Sequence, residues 1–408
     1  MNDRKTLNRR KFLGATAGTV AGVLALGGSS VSRAISDRRE KPGSLITRVL
    51  GRTGYRIPVV SMGVMNADNP ELVRRAYEAG LRHFDTANVY QRGRNEEMVG
   101  RVLVEELKVR DRVVIATKIL LRPQQRGLSA AEMKEAHRSL MEESLRRLRT
   151  DYVDILYSHD VSDPEWVKNP ALIESLLELK EQKKTRFIGF STHQNMDAVI
   201  RAAMEAKVYD VILTTLNYSL YDYADYLETL KQAAVQGIGL VAMKTQCQQA
   251  WYRESIPAEM RRFYEGPIIH SALLKWAVRH DFIATAVPGF TTFEQLNTDL
   301  PVAGDLEYTE EEKKFLEDRQ VKLQMAAVCR ACGQCQPTCP KGVDIPVVLR
   351  AHMYAASYGN FYQARDTLDG LEPEKSVKIC VGCSECQARC VRGVNIARRL
   401  DELRTLLA

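Results

Sequence analysis

An α/β fold is predicted: a (β/α)8 TIM barrel followed by a small α-helical domain rich in cysteine. Three observations carry that expectation. Between about residues 48 and 300, eight short apolar runs alternate with helical patterns. These units fill roughly 250 residues, the usual length of a (β/α)8 barrel. Eight of the nine cysteines lie beyond them, between Cys329 and Cys390. A doubly wound open sheet is the alternative. No G-x-G-x-x-G follows the first strand, which counts against it.

The chain has 408 residues, 45% of them hydrophobic and 27% charged, with a formal charge of +7. Both fractions are ordinary for a globular protein. Residues 1–34 hold Arg4, Lys5, Arg9, Arg10, Lys11 and Arg33 against Asp3, so +5 of the charge sits there and +2 remains on the body. No basic stripe is left for nucleic acid, which is excluded as a partner. Residues 8–14 read Asn-Arg-Arg-Lys-Phe-Leu-Gly, a weakly apolar stretch runs from Phe12 to Gly28, and Ser32-Arg33-Ala34 offers small residues for cleavage. This resembles a twin-arginine export signal over residues 1–34. The resemblance implies passage through the twin-arginine translocase and a periplasmic or exported destination. A disordered basic tail is the alternative. The stretch is short and broken by glycine, so a membrane span is not expected. Residues 35–46 follow as a linker.

The barrel domain is expected over residues 47–325. Its strand candidates are 58–63, 82–85, 112–117, 153–158, 187–190, 210–214, 238–243 and 284–287. Each is rich in Val, Ile, Leu, Phe or Tyr and bounded by turn residues. A helix is expected over 129–149, where Ser129 and Glu132 form a capping-box pair. Met133, Ala136, Leu140, Leu145 and Leu148 give it an apolar face. Residues 306–325 read as one charged helix that closes the barrel.

In such a barrel, chemistry sits at the C-terminal ends of the strands. Asp85 ends the second strand candidate, Tyr90 follows in the loop, Lys118 ends the third and His159 ends the fourth. Each alone reads blandly, as a cap, a solvated charge or a core histidine. Together they are an acid–base set. Lys118 would be held by Asp85, and its ammonium would lower the tyrosine pKa from near ~10. Tyr90 would pass a proton to or from a carbonyl oxygen, and His159 would orient that oxygen.

Other segments match one known family. Leu50-Gly51-Arg52-Thr53-Gly54, Ser144-Leu145-Arg146-Arg147-Leu148, Asp151-Tyr152-Val153-Asp154, Gly189-Phe190-Ser191 and Val287-Pro288-Gly289 stand with the four polar residues in order. Over roughly residues 47–300 the chain resembles the aldo-keto reductase family. The resemblance implies a catalytic tetrad of Asp85, Tyr90, Lys118 and His159, a nicotinamide cofactor and a small carbonyl or alcohol substrate. The nucleotide contacts it implies are altered. Ser191-Thr192 stands where Ser-Asn is usual, and residues 209–222 hold no glutamine. Met243 takes the stacking position, with Lys244 beside it. Gly289, Phe290 and Gln295 replace the phosphate-binding residues. Asp299 stands where an Asn is usual, and would repel a phosphate if it pointed inward. NAD(P)H therefore stays an open alternative, with no preference for NADP.

Cys329, Cys332, Cys335 and Cys339 read C-x2-C-x2-C-x3-C, and Cys380, Cys383, Cys386 and Cys390 repeat the pattern 51 positions later. Gly342, Val343 and Ile345 recur as Gly393, Val394 and Ile396. That spacing is the ligand set of two [4Fe–4S] clusters. Zinc and disulfides are the alternatives. Zinc sites usually pair two short motifs across a longer spacer, and disulfide frameworks suit small secreted domains. Cys247 stands alone as a structural thiol. With residues 346–369 reading as helical, residues 326–408 resemble a helical two-cluster ferredoxin-type domain. By that resemblance the fourth cysteine of each motif serves the other cluster. The sets would be Cys329, Cys332, Cys335 and Cys390, and Cys380, Cys383, Cys386 and Cys339.

The expected protein is an exported oxidoreductase that interconverts a small carbonyl and an alcohol or sugar. Its clusters would exchange electrons with a periplasmic or membrane partner. Hydride carries two electrons where a cluster passes one, and no flavin site is evident between them. A non-catalytic docking subunit is one alternative. A reductase using NAD(P)H, with structural clusters, is the other.

Overall fold

The computed structural model describes residues 44–246 and 268–407, apart from 123, 124, 126, 327, 381, 382 and 384. The expected export signal, most of the linker and Cys247 lie outside the described residues. An antiparallel ribbon, β1 (Thr47–Val49) and β2 (Arg56–Pro58), precedes the barrel. The barrel strands are β3 (Met62–Gly63), β4 (His83–Asp85), β5 (Val114–Ile119), β6 (Val153–Ser158), β7 (Thr185–Thr192), β8 (Val211–Thr215), β9 (Gly239–Met243) and β10 (Thr285–Ala286). They pair in parallel in chain order. Bridges Val60–Ala286 and Gly63–Gly289 bring the last strand back to the first. The (β/α)8 expectation holds. The 58–63 candidate divides, because Pro58 belongs to the ribbon and only Met62–Gly63 joins the barrel.

The helices that follow these strands are α1 (Pro70–Glu78), α2 (Arg94–Val99), α3 (Ala130–Leu148), α4 (Pro164–Val167), α5 (Pro170–Glu181), α6 (Met196–Ala206), α7 (Ala224–Val235), α8 (His270–Val278) and α9 (Phe293–Asp299). The capping box of α3 is present, with Ser129 N donating to Glu132. The single helix expected over 306–325 is instead two, α10 (Glu310–Glu317) and α11 (Arg319–Ala326). Asp318 breaks it. Its backbone is extended, and its Oδ1 accepts from the N–H groups of Gln320 and Val321, starting a new helix. The C-terminal domain is helical, with α12 (Ile345–Ala356), α13 (Phe361–Asp369) and α14 (Ile396–Leu407). The stretch 346–369 is thus two helices, parted by a turn in which Gly359 has φ +62°.

Side chains alternate along each strand. Val114, Ala116, Ile155, Tyr157, Val211, Leu213 and Val241 form one buried cluster with Leu50, Tyr55 and Ile57 of the ribbon region. This fills the barrel. Ile115, Ile119, Leu156, Ile212 and Leu240 belong to a second cluster that joins the strands to the helices around them. The same two-residue step carries the inner row upward. Lys118 follows Ala116, His159 follows Tyr157, and Met243 follows Val241. Chemistry-bearing side chains thereby arrive at the barrel mouth.

Candidate active site at the barrel mouth

Asp85 and Lys118 are buried, 4% and 1% exposed, and form an ion pair of 2.5 Å. Lys118 Nζ also donates to the carbonyl of Thr86 at 2.6 Å. Its position lies 4.8 Å from the centroid of the Tyr90 ring. The His159 ring meets that of Tyr90 edge-on at 5.8 Å. The four side chains singled out in the sequence therefore come together at one place. Tyr90 opens a tight turn in which Gln91 and Arg92 both have positive φ. The loop before it is braced from behind. Thr86 Oγ1 donates to Asn95, Thr117 Oγ1 to Glu96, and Arg147 to both Glu96 and the carbonyl of Asn88. Glu96, Asn95 and Arg147 escaped sequence reasoning, because only the fold brings them beneath the loop.

The electrostatics correct one expectation. Burial pulls Lys118 down and pushes Asp85 up, and each is opposed by the other's charge. Tyr90 is not lowered by the ammonium. Burial raises it well above its ordinary value, and the carboxylates of Asp85 and Asp160 raise it further. Lys118 gives two of its three ammonium protons to Asp85 and Thr86. Tyr90 is a proton donor kept protonated. Burial, then the charge of Lys118, holds His159 well below its ordinary value, as a neutral imidazole. His159 Nδ1 and Asp85 Oδ2 are buried without a hydrogen-bond partner.

A cavity of about 190 Å³, open to solvent, lies at the barrel mouth. Asp85, Tyr90, Met243, Lys244, Gly289 and Gln295 line it, and so do Ser357, Tyr358 and Gly359 of the C-terminal domain. Ser191 and Thr192 do not. Ser191 Oγ accepts from the N–H of Asp160, and Thr192 Oγ1 donates to the carbonyl of Gln194. Neither hydroxyl is turned toward the cavity to grip a carboxamide. Phe290 is wholly buried. Asp299 is buried as well, accepting from Gln246 at 2.7 Å, and burial raises its pKa to about 8. It is largely uncharged at neutral pH and repels no phosphate, contrary to expectation. Burial, then Arg350, lowers Lys244 to about 7. A nicotinamide nucleotide would lack the expected carboxamide contacts here, and no step is derived through it.

None of the eight C-terminal cysteines is joined in a disulfide. Cys329, Cys332, Cys335 and Cys390 line one small cavity with Val328, Pro346, Leu349, Val394 and Ile396. Cys390 thus joins the first motif rather than its own. Burial, with the neighbouring thiols including Cys390, pushes Cys329 up to about 12 and Cys335 to about 11. Cys380 is raised by burial too, with Cys339, Cys383 and Cys386 beside it. Among the described residues, no three Cys, His, Asp or Glu side chains converge on a single metal ion. Four soft donors around an apolar cavity fit an iron–sulfur cluster.

A further group at the mouth was not legible. Asp160 receives Arg350 of α12 at 2.8 Å, and His193 Nε2 lies 2.8 Å from its other oxygen. Burial opposes ionisation of Asp160, yet Arg350 and His193 hold it well below the usual carboxylate range. Arg330 and Arg392, flanking Cys329 and Cys390, both reach Asp222 on the barrel.

Comparison with known proteins agrees with this geometry. Residues 61–255 match the model of the aldo/keto reductase family, and residues 328–395 match that of a 4Fe-4S dicluster domain. L-galactose dehydrogenase of Arabidopsis thaliana is 24% identical over 68% of this chain and 94% of its own length. L-glyceraldehyde 3-phosphate reductase of Escherichia coli is 26% identical over 56% of this chain and 70% of its own. Methylglyoxal reductase DkgB of Salmonella typhi is 27% identical over 64% and 92%. Among solved structures, a holo-form aldo-keto reductase of Bacillus halodurans superposes with a TM-score of 0.52 at 22% identity, over 68% of this chain and all of the other. An aldo-keto reductase of Klebsiella pneumoniae in complex with NADPH does so with 0.52 at 22% identity, over 68% and 96%. The likeness covers the barrel fold.

Proposed function

We propose that this chain, an aldo-keto reductase-type oxidoreductase with a 4Fe-4S dicluster domain at its C-terminus, interconverts a small carbonyl compound and its alcohol after export. The observation that carries the proposal is the grouping of Asp85, Tyr90, Lys118 and His159 at the barrel mouth, where Asp85 and Tyr90 line the cavity. A protonated Tyr90 donates to the carbonyl oxygen as the carbon is reduced, and takes the proton back in the reverse direction. The neutral His159 fixes that oxygen with a hydrogen bond, and the buried Lys118–Asp85 pair holds the positive charge near it. Three relatives named for small polar aldehydes or a sugar support that substrate class. The hydrogen that reaches the carbon must come as hydride from a two-electron carrier in the cavity; two [4Fe–4S] clusters held by the eight cysteines would exchange electrons with that carrier one at a time and give a route to a periplasmic or membrane partner. The twin-arginine pattern of residues 1–34 supports export with the clusters already in place.

Tyr90→Phe tests the reading in protein purified without oxygen. Turnover of a small aldehyde should fall on the order of 100-fold or more, with iron content and cluster absorbance unchanged. Wild-type turnover in that variant would remove Tyr90 from the chemistry. Adding alcohol alone to oxidised wild-type protein should bleach the clusters. An absence of bleaching by alcohol, NADH, NADPH and chemical reductant would sink the cluster role.

A further inference from the structure

We propose that the substrate is held between the two domains, with Tyr358 of the dicluster domain a specificity-determining residue on the wall opposite Tyr90. This rests on the reading of the cavity as a carbonyl site. The sequence of α12 already sets it up. Arg350, Tyr354 and Tyr358 are spaced i, i+4 and i+8, so they follow one face from the helix into the turn beyond it. That face looks onto the barrel mouth. Arg350 is paired with Asp160, the residue after His159, at 2.8 Å. One turn on, the ring of Tyr354 lies 5.5 Å from Lys244 Nζ. One turn further, Ser357, Tyr358 and Gly359 line the same cavity as Asp85, Tyr90 and Met243.

The wall is fastened at its far end as well. Asn360 Nδ2 donates to Asn66 Oδ1 at 2.7 Å, and Asn66 is itself a cavity residue on the loop after β3. The turn is also closed on its own helix, with the N–H groups of Ser357 and Tyr358 donating to Met353 and that of Asn360 to Tyr354. A substrate small enough to reach Tyr90 therefore meets a barrel floor and a dicluster-domain roof. Ser357 and Tyr358 give that roof a polar and an aromatic residue. It suits short polyhydroxylated or aromatic carbonyls over long apolar ones.

The test uses the full-length protein with its clusters. Glyceraldehyde serves as a small polar probe, and hydrogen exchange is followed by mass spectrometry with and without it. Protection is expected in two segments, one containing Tyr90 and one spanning residues 354–360. Protection of the Tyr90 segment alone overturns the inference and leaves the proposed function standing. Protection of neither overturns both. Tyr358→Ala provides a second measure. The dissociation constant for glyceraldehyde should rise at least tenfold, while iron content and the cluster spectrum stay as in the wild type, and Tyr358→Phe should keep at least part of the affinity. An unchanged constant in Tyr358→Ala would remove the residue from the site.

Discussion

A buried ionisable side chain at the mouth behaves according to its partners, and Asp299 shows how. A sequence argument made it a negative charge, but the fold buries it against Gln246 and pushes its pKa to about 8. Its value in the unfolded chain is near the ordinary 3.8. Between these values the folded protein holds a proton that the unfolded chain has released. Stability from this group is therefore full below about pH 4 and is lost as the pH rises toward 8, at a limit of about 1.4 kcal/mol per pH unit. Asp299→Asn removes that loss. Its melting temperature should match wild type near pH 4 and exceed it progressively up to pH 8. Parallel curves would show that Asp299 is already ionised. Tyr90 carries the same lesson. Its identity and position were legible from Phe84-Asp85-Thr86-Ala87 and the loop after it, but the direction of its pKa was not. That direction depends on burial and on Asp160, two strands away in the sheet.

Local chemistry within an element was mostly readable. The Ser129–Glu132 box starts α3 as expected, because its partners are three residues apart. The break at Asp318 was missed, although it uses the same rule, since a run of charged residues hid a cap. Packing contacts between elements were not readable, and Gly189 is the clearest case. Gly189-Phe190-Ser191 was visible as a motif without a physical reason. In β7 a Cβ at Gly189 would sit 2.0 Å from the carbonyl oxygen of Val211 and 3.1 Å from the Tyr157 ring. Glycine is required there so that β7 and β8 can pair beside a large inward tyrosine. Gly189→Ala must displace a strand rather than a flexible side chain. It should cost about 3 kcal/mol, read as a fall in melting temperature or in soluble yield. A variant as stable as the wild type would mean that the two strands part easily.

At the scale of the whole molecule, the two domains were each legible, and their relation was not. Apolar periodicity predicts the barrel and cysteine spacing predicts the cluster domain, but neither pattern contains the seam between them. That seam is built from long-range pairs: Arg350–Asp160, Arg392–Asp222, Arg122–Asp366 and Asn360–Asn66. The same reasoning decides how the dicluster domain holds together. Its two motifs lie 51 residues apart and would form separate lobes if each kept its own cysteines. Instead Cys390 closes the cavity of Cys329, Cys332 and Cys335, and Cys339 neighbours Cys380, Cys383 and Cys386. Each cluster then ties the two ends of the domain to one another, and through Arg330 and Arg392 to the barrel. The exchange has a numerical consequence. Cys329→Ala and Cys390→Ala should each lose the same cluster, about four irons of eight, and the double variant should lose no more. Cys380→Ala combined with Cys390→Ala should lose both clusters. If the Cys329→Ala/Cys390→Ala double variant emptied both sites while Cys380→Ala/Cys390→Ala emptied one, each motif would be keeping its own iron.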